Sequence, residues 1–243
     1  MTAIVTGGAS GIGSSAADRL RSAGHHVITW DLRGGDIACD ISDPDAVSAA
    51  LEQTLASVGV PDRLIACAGV GASGMLITQD PADWKRVIDV NLTGTWLTMR
   101  AVAQAMIDNG GGGSIVAVSS ISGTVADRDM GAYCVSKAAV DMLVRVAASE
   151  WGPYGIRVNA VGPGVTRTPM LAQAEQLPGW LDGLSQRTAL GRSGEADDVA
   201  EAIVAVLEMG WVTGQTVLAD GGLALHSPID TYGQIQRLRA KRG

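Results

Sequence analysis

The chain has little of what a metal site, a disulfide framework or a histidine-based catalytic triad requires. Its 243 residues include three cysteines (Cys39, Cys67 and Cys134) and three histidines. No two of the cysteines form a CxxC pair, which argues against structural disulfides and against a thiolate metal site. We therefore expect no bound metal, and we take a cytoplasmic location as the default.

The sequence also lacks long apolar runs and a basic stripe. Apolar residues make up 47% of it, but none of their runs reaches the roughly 18 residues of a membrane span. An apolar strand pattern begins directly after Met1-Thr2, so we expect no signal peptide. The formal net charge is −7, which outweighs the short basic segment 236–242 and argues against a nucleic-acid partner. We expect a protein that neither spans a membrane nor binds nucleic acid.

Short apolar runs alternate with helical patterns along the chain. The runs typical of buried strands are 3–6, 26–30, 64–67, 114–119, 157–161 and 216–219, with a weaker one near 36–39. Apolar positions recur at helical spacing over 12–23, 44–57, 82–108, 132–151 and 196–208. Apolar strands separated by helices are what a parallel sheet covered on both faces requires. The pattern predicts an α/β fold, a doubly wound, Rossmann-like parallel sheet in a single domain over 1–243.

Residues 163–194 break this alternation. The segment contains three prolines and several large apolar side chains, among them Met170, Leu171, Leu177, Trp180, Leu181 and Leu184. Loops of this length in a compact domain are usually functional or disordered. Because these side chains are too apolar for a solvated linker, we predict a lid over a pocket.

A glycine-rich segment, residues 6–13, joins the first predicted strand to the first predicted helix. Glycines there allow a tight turn, the close approach of a pyrophosphate and tight packing of the helix on the strand. The start of the helix then offers free N–H groups and a partial positive charge to phosphates. A glycine-rich connection without a ligand is the alternative. The predicted dinucleotide contacts here are Gly7, Ser10, Gly11, Ile12 and Gly13.

The ends of the next strands favour NAD over NADP. Asp31 ends the second strand, where a carboxylate can accept hydrogen bonds from the adenosine ribose hydroxyls and would repel a 2′-phosphate. Ser10 occupies the place where a basic residue would favour NADP, whereas the nearby Arg33 favours NADP. Asp40 follows the weak third strand and could equally be the N-cap of the next helix. The further cofactor contacts that we predict are Leu32, Asp40, Ile41, Ala68 and Gly69.

Tyr133 and Lys137 lie four residues apart on a helical pattern, so their side chains share one face of the helix. An ammonium group beside a phenol favours the phenolate, and it would lower the pKa of Tyr133 from its usual value of about 10. A tyrosine tuned in this way can act as a general acid or base. The same spacing occurs in ordinary surface pairs, but here the helix follows a central strand that ends in Ser119-Ser120.

These motifs resemble those of the short-chain dehydrogenase/reductase family over nearly the whole chain. The family's Thr-Gly-x-x-x-Gly-x-Gly loop is matched by residues 6–13, and its strand and Pro-Gly turn beside the nicotinamide by 157–164. Asp220-Gly221-Gly222 matches the usual end of the last strand. The catalytic residues that the resemblance implies are Asn91, Ser120, Tyr133 and Lys137. The further cofactor contacts that it implies are Tyr133, Lys137, Pro163, Gly164, Val165, Thr166 and Thr168.

The resemblance also implies a mechanism. In the oxidative direction the Tyr133 phenolate takes the hydroxyl proton of the substrate while a hydride passes from the carbinol carbon to the nicotinamide. Ser120 positions the reacting oxygen and Lys137 holds the nicotinamide ribose. Asn91 anchors a water molecule that links Lys137 to solvent.

One departure from the family pattern follows the fourth strand. The segment Ala66-Cys67-Ala68-Gly69 stands where the family commonly has Asn-Asn-Ala-Gly. The asparagines that tie neighbouring strands are missing, so we expect an effect on local rigidity more than on catalysis. We interpret Cys67 as a small buried apolar residue and not as a reactive thiol.

The segments expected around the substrate, 70–73, 121–130 and 165–184, are mostly small or apolar. Asp127, Arg128 and Asp129 are the charged exception, which we interpret as a solvated loop, with contact to the substrate as the alternative. Because no cluster of basic residues suggests a phosphorylated or CoA-bound substrate, we expect an apolar secondary alcohol or ketone (alicyclic, terpenoid or steroid-like) and NAD. The alternatives are an NADPH-dependent 3-oxoacyl-thioester reductase, which Asp31 argues against, and a non-catalytic dinucleotide-sensing protein.

The resemblance further suggests a homotetramer built from the helices at 82–108 and 132–151 and the last strand. Residues 226–243 extend beyond the usual end of the family. We expect this extension to pack on a neighbouring subunit.

Overall fold

The computed structural model describes residues 1–172, 178–225 and 230–240. The strands are β1 (Thr2–Thr6), β2 (His26–Asp31), β3 (Ile37–Ala38), β4 (Arg63–Ala66), β5 (Gly113–Val118), β6 (Ile156–Pro163), β7 (Thr166–Arg167), β8 (Gly194–Glu195) and β9 (Thr216–Ala219). The helices are α1 (Gly11–Ser22), α2 (Pro44–Val58), α3 (Pro81–Ile88), α4 (Thr95–Asp108), α5 (Gly131–Trp151), α6 (Trp180–Arg187), α7 (Ala196–Glu208) and α8 (Thr231–Ala240).

Seven of these strands form one parallel sheet in the order β3-β2-β1-β4-β5-β6-β9. The chain builds the sheet outward from β1 through β2 to β3 and then returns to the other side of β1 with β4. The connections leaving β1 and β4 therefore run in opposite directions, and a crevice opens at the carboxyl ends of these two strands. The prediction of a Rossmann-like parallel sheet is confirmed.

Both faces of the sheet are buried, each in its own apolar cluster. Along β1, Ile4 points into the cluster with α2, α4 and α5, whereas Ala3 and Val5 point into the cluster with α1 and α7. This alternation follows the two-residue period of a strand. Trp30 is fully buried, and its indole N–H donates to Thr54 Oγ1 at 3.0 Å. A strand buried on both faces must be apolar at every position, as the sequence indicates.

The helix predicted over 82–108 is confirmed, and it contains a π-helical turn that the sequence pattern did not predict. Helix α3 ends at Ile88, a π-helical segment occupies Asp89–Gly94, and α4 begins at Thr95. A Cβ atom at Gly94 would lie 2.8 Å from Ile41 Cγ1, so only glycine lets this turn approach Ile41. Such π-helical turns are frequent at functional sites, and this one contains Asn91.

The predicted lid segment, 163–194, contains short regular elements that are too brief for periodicity to reveal. Strands β7 and β8 pair in parallel through Thr166 with Gly194 and Arg167 with Glu195. A 3₁₀ turn over Pro169–Leu171 and helix α6 lie between these strands. Residues 173–177, which include Leu177, lie outside the described residues.

The extension after residue 225 contains helix α8, which the sequence pattern did not predict. The side chains of Tyr232 and Leu238 are exposed, and Arg237 Nη2 lies 3.3 Å from Asp230 Oδ2. Residues 226–229 and 241–243 of the extension lie outside the described residues. Among the helices that the structure describes, none combines the length and the apolar character needed to cross a membrane.

Candidate active site

Ser120, Tyr133 and Lys137 meet at the carboxyl end of β5. Ser120 follows the strand and begins the 3₁₀ turn Ile121–Gly123, where its Oγ accepts a hydrogen bond from the Ser122 N–H at 3.1 Å. Tyr133 and Lys137 lie in the first two turns of α5, and Lys137 Nζ is 5.6 Å from the centroid of the Tyr133 ring. The structure thus brings together three of the residues that the sequence predicted to be catalytic.

Burial controls the ionisation of this group. It raises the pKa of Tyr133, and a hydrogen bond with Ser120 partly offsets that effect. Burial also lowers the pKa of Lys137 to about 8. The pKa of Tyr133 therefore moves opposite to the sequence expectation, because desolvation of the phenol exceeds the attraction that we expected from Lys137. The Lys137 ammonium group donates to the Val118 carbonyl at 2.7 Å.

Asn91 is fully buried in the π-helical segment and joins two parts of the site. Its Oδ1 accepts from the Val70 N–H at 2.8 Å, and its Nδ2 donates to the Val70 carbonyl at 2.9 Å and to Ser136 Oγ at 3.1 Å. Asn91 therefore ties the segment after β4 to α5, beside Lys137. The water molecule that the resemblance attaches to Asn91 stays a prediction.

The glycine loop between β1 and α1 has the backbone of a phosphate cradle. Gly7 and Gly11 have φ angles of +65° and +54°, which glycine adopts without strain. A Cβ atom at Gly7 would lie 2.8 Å from Ala68 Cα, and one at Gly13 would collide with the Gly7 carbonyl oxygen. Within the described part of the chain the Ser10 side chain makes no capping hydrogen bond to α1. The N–H groups of the first turn, which includes Ile12, can therefore receive a pyrophosphate.

Asp31 lies beside this loop, at the end of β2. Its Oδ2 accepts a hydrogen bond from the Ala9 N–H at 3.1 Å, and its Oδ1 accepts one from the Arg33 N–H at 3.3 Å. The side chains of Leu32 and Arg33 are exposed. The carboxylate thus stands at the end of β2 beside the glycine loop, where the sequence placed the adenosine ribose.

The alternative interpretation of Asp40 as a helix N-cap was wrong. The N-cap of α2 is Asp43, whose carboxylate accepts from the Asp45 N–H at 2.9 Å. Asp40 instead accepts from the N–H and the hydroxyl of Ser42, at 2.9 and 2.7 Å. The Ile41 side chain is buried in the core. Any contact of Ile41 with a cofactor would thus come from its backbone.

The strand end that lacks the family's asparagines is tied in another way. Thr6 Oγ1 accepts hydrogen bonds from the backbone N–H groups of Cys67 and Ala68, at 3.1 and 3.2 Å. This threonine links β1 to the chain after β4. Burial raises the pKa of the Cys67 thiol to about 11, which agrees with an unreactive side chain. Gly69 lies close to Asn91 Oδ1 and Lys137 Nζ.

The segment from Pro163 to Thr168 reaches the glycine loop from the other side of the crevice. Pro163 ends β6, and the Gly164 N–H donates to the Ala219 carbonyl of β9 at 3.1 Å. Thr166 is buried, and the Val165 carbonyl accepts from the Gly194 N–H at 2.9 Å. The closest approach is that of Thr168, whose methyl carbon would lie 3.3 Å from a Cβ atom at Gly11.

The loops on the substrate side include apolar residues that the sequence reasoning missed. The side chains of Leu76 and Ile77 are 69% and 92% exposed. A Cβ atom at Gly131 would collide with the Leu76 side chain, so this segment lies against the start of α5, two residues before Tyr133. The run Met75-Leu76-Ile77 after β4 was the available signal. The charged loop 127–129 is exposed, in agreement with its interpretation as a solvated loop.

Comparison of the sequence and the fold with known proteins identifies the family to which the chain belongs. The family model described as enoyl-(acyl carrier protein) reductase matches residues 7–224. A structure described as a short-chain type dehydrogenase/reductase from Mycobacterium marinum superposes with a TM-score of 0.86 and 30% identity, covering 91% of this chain and 94% of that one. The chain belongs to the short-chain dehydrogenase/reductase family. It is therefore an oxidoreductase of a family that uses nicotinamide dinucleotides.

Two curated relatives illustrate the range of alcohols that such proteins oxidise. The (3R)-3-hydroxyacyl-CoA dehydrogenase of Homo sapiens is 36% identical over 248 residues, covering 91% of this chain and 94% of its own. The 2,5-dichloro-2,5-cyclohexadiene-1,4-diol dehydrogenase of Sphingobium indicum is 37% identical over 239 residues, covering 91% of this chain and 96% of its own. The glycine cradle, the carboxylate at Asp31 and the Ser120-Tyr133-Lys137 group fit a nicotinamide dinucleotide and an alcohol.

Proposed function

We propose that the protein is an NAD-dependent dehydrogenase of apolar secondary alcohols, which also reduces the matching ketones. The observation that carries the proposal is the meeting of Ser120, Tyr133 and Lys137 at the crevice where the glycine loop and Asp31 also lie. A bound nicotinamide would supply or accept the hydride. The side chains of the protein would hold the substrate oxygen and move its proton.

The preference for NAD rests on Asp31. Its carboxylate faces the Ala9 N–H of the glycine loop, so two ribose hydroxyls at this place would find an acceptor. A 2′-phosphate would instead meet a negative charge at short range. Arg33, two residues away, is exposed and is the nearby residue that would favour NADP, whereas Asp31 contacts the glycine loop directly. The proposed contacts of the dinucleotide are Gly7, Ser10, Gly11, Ile12, Gly13, Asp31, Leu32, Asp40, Ile41, Ala68, Gly69, Tyr133, Lys137, Pro163, Gly164, Val165, Thr166 and Thr168.

Proton transfer is assigned to Tyr133, with Ser120 as the partner that holds the substrate oxygen. Both hydroxyl groups lie at the same end of β5, and they interact with one another. The Lys137 ammonium group lies on the next turn of α5 and would contact the ribose of a bound dinucleotide. In that complex the positive charge of Lys137 would also lower the pKa of Tyr133. Asn91 would complete the path for the proton through its contact with Ser136 and its place beside Lys137.

The substrate class is inferred from the loops at the mouth of the site. Exposed Leu76 and Ile77 lie against the start of α5, and they favour an apolar substrate over a sugar or a phosphorylated molecule. The similarity to a dehydrogenase of a cyclohexadiene diol supports an alicyclic alcohol. A terpenoid or steroid-like alcohol satisfies the same apolar requirement.

A second candidate is a dehydrogenase or reductase of 3-hydroxyacyl or 3-oxoacyl thioesters. The name of the human relative and the description of the family model both favour it. The NADPH-dependent form of this activity is disfavoured by Asp31. The third alternative is a protein that senses dinucleotides without turnover. It is disfavoured because Ser120, Tyr133 and Lys137 would then meet without catalysing a reaction.

We also propose a cytoplasmic homotetramer. Helices α4 and α5 expose Trp96, Val135, Met142 and Val146, and β9 exposes Val217. Apolar side chains that recur on the outer faces of neighbouring elements are typical of subunit interfaces. Sedimentation of the purified protein measures the number of subunits directly.

The experiment that tests the function follows the absorbance of the reduced nicotinamide. The purified protein is incubated with NAD or NADP and with alicyclic alcohols, hydroxysteroids and a 3-hydroxyacyl-CoA in separate reactions. Turnover of an alicyclic or steroid alcohol with NAD supports the proposal. Turnover of the thioester alone supports the second candidate, and dinucleotide binding without any turnover supports the sensing protein.

A further inference from the structure

Asp141 is a buried carboxylate that lies one helical turn beyond Lys137 on α5. The residue is 8% exposed, and the (i, i+4) spacing places its side chain on the same face as Lys137. Aspartate is almost never buried to this extent unless it is paired. Within the described residues no cation lies at salt-bridge distance from it. A role for this charge must therefore be sought in its surroundings.

Two elements outside α5 contact the Asp141 carboxylate, one through a hydrogen bond and one through close packing. Thr216 of β9 donates its hydroxyl hydrogen bond to Asp141 Oδ1 at 2.9 Å. A Cβ atom at Gly123 would lie 2.7 Å from Asp141 Oδ2 and 3.1 Å from the carbonyl oxygen of Lys137. Gly123 ends the turn that begins at Ser120. The turn after Ser120 therefore packs directly against Asp141 and the backbone of Lys137.

The Lys137 ammonium group has few partners that favour its charge. It donates to the Val118 carbonyl and lies 5.6 Å from the centroid of the Tyr133 ring. The two groups that raise the pKa of Lys137 are Cys67 and Asp141. Because burial raises the pKa of Cys67 to about 11, that thiol carries no charge near neutral pH. Among the described residues Asp141 is then the carboxylate, one helical turn away on the same face, that favours the charged form of Lys137.

We propose that Asp141 is a positioning residue whose carboxylate keeps Lys137 charged and holds the turn after Ser120 against α5. The inference rests on the proposed function, since it assigns Asp141 a role through Ser120 and Lys137 without contact with substrate. Arg145, one turn further along α5, lines the same surface cleft as Asp141. Its exposed guanidinium is screened by water, so it weakens the effect of Asp141 on Lys137 without cancelling it.

The first measurement is a titration of Lys137 that needs no activity. The chain has three lysines, Lys85, Lys137 and Lys241, so lysine labelled with ¹³C gives three NMR signals, and Lys137→Arg identifies one of them. Asp141→Asn removes the charge and keeps an acceptor for the Thr216 hydroxyl. We expect it to move the titration of Lys137 downward by about one pH unit. A titration unchanged from that of the unaltered protein overturns the proposal.

The matched control is Asp141→Glu, which keeps the charge. It should leave Lys137 titrating close to its original pH, and a downward movement equal to that of Asp141→Asn would contradict the proposal. Asp141→Ser is a second neutral variant, with a hydroxyl that can accept from Thr216. It replaces Asp141→Asn if thermal unfolding shows that the latter does not fold.

The second measurement is kcat/KM as a function of pH, with NAD and an alcohol that the protein oxidises. If Lys137 must be charged for turnover, kcat/KM of Asp141→Asn should be about fivefold below that of the unaltered protein at pH 8. Near pH 6.5 the two values should approach one another, as follows from a one-unit decrease in the pKa of Lys137. A loss that is equal at every pH indicates a purely structural role and overturns the proposal. If no alcohol is oxidised but Lys137 still shifts, the proposed function fails while the electrostatic link stands.

Discussion

The Asp31 carboxylate accepts a hydrogen bond from the Ala9 backbone N–H at 3.1 Å, and this contact joins the end of β2 to the glycine loop. It keeps a negative charge at the place where the proposed dinucleotide would carry either a ribose hydroxyl or a 2′-phosphate. We propose that the choice between NAD and NADP depends on this carboxylate. This relationship leads to the first prediction.

Replacing Asp31 by serine should change the cofactor preference. We expect Asp31→Ser to decrease the ratio of kcat/KM with NAD to kcat/KM with NADP by roughly 10- to 100-fold, because it removes both the acceptor for the ribose and the repulsion of the phosphate. Steady-state kinetics with the two dinucleotides measure this ratio. Asp18→Asn on the exposed face of α1 is the control, and it should leave the ratio unchanged. An unchanged ratio in Asp31→Ser would show that another residue determines the preference.

Replacing Tyr133 by phenylalanine should abolish most of the turnover. The change removes the hydroxyl group that moves the proton, and general acid–base catalysis contributes roughly 10²- to 10⁴-fold. We expect kcat to fall within that range while NAD binding, followed by fluorescence quenching, is retained. Tyr154→Phe is the matched control, since Tyr154 is half-exposed in the turn that follows α5. If Tyr133→Phe remains fully active, the assignment of Tyr133 to proton transfer is wrong.

The buried Lys137 should make the stability of the protein depend on pH. Its pKa is about 8 in the folded protein and 10.5 when exposed, so between these values the unfolded chain binds more protons and the free energy of unfolding rises with pH. The full difference corresponds to about 3 kcal/mol. Below pH 8 the lysine is charged in both the folded and the unfolded state, so burial of its charge lowers the free energy of unfolding by this full amount.

The measurement for this prediction is urea unfolding of the protein and of Lys137→Met at several pH values. The difference in the free energy of unfolding between the two proteins should change across pH 8 to 10.5, in favour of the lysine-containing protein as the pH rises. Taking the difference cancels the opposite contribution of Tyr133, whose raised pKa lowers stability at high pH. A difference that is constant with pH would mean that Lys137 titrates as an exposed lysine does.

Replacing Gly94 by alanine should destabilise the protein through contact with Ile41. A Cβ atom at Gly94 would lie 2.8 Å from Ile41 Cγ1 and 3.0 Å from the Ile41 carbonyl oxygen. We expect a loss of about 1–3 kcal/mol, typical of overpacking in a core. Ile41→Ala in the same chain should recover part of it, so the two changes should be non-additive in thermal or urea unfolding. Additive losses would place the strain elsewhere in the π-helical segment.

Much of the site could be predicted from the sequence because its chemistry is carried by local patterns. The glycine-rich turn between β1 and α1 and the shared helical face of Tyr133 and Lys137 follow from residue type and spacing alone. The parallel sheet follows from apolar runs that alternate with helices, since only strands buried on both faces need such runs. These features involve neighbours in the sequence, or a periodicity that is visible in it.

Other features depend on residues that are distant in the sequence, and only the tertiary structure decided them. Thr6 bonds to Cys67 and Ala68, about 60 residues away, at the strand end where the asparagines are missing. In the π-helical turn Gly94 packs closely on Ile41, and the buried Asp141 accepts a hydrogen bond from Thr216 of the last strand. Local propensity carries no information about such contacts.

The ionisation of the site illustrates the same division. The spacing of Tyr133 and Lys137 correctly predicts that the two side chains are neighbours, but it does not predict the direction in which the pKa of Tyr133 moves. That direction depends on how much water the fold excludes from the phenol, and burial raises the pKa. The sequence alone determined which groups meet at the end of β5. The packing of the whole chain around them decided their charge, because desolvation is a property of the tertiary structure.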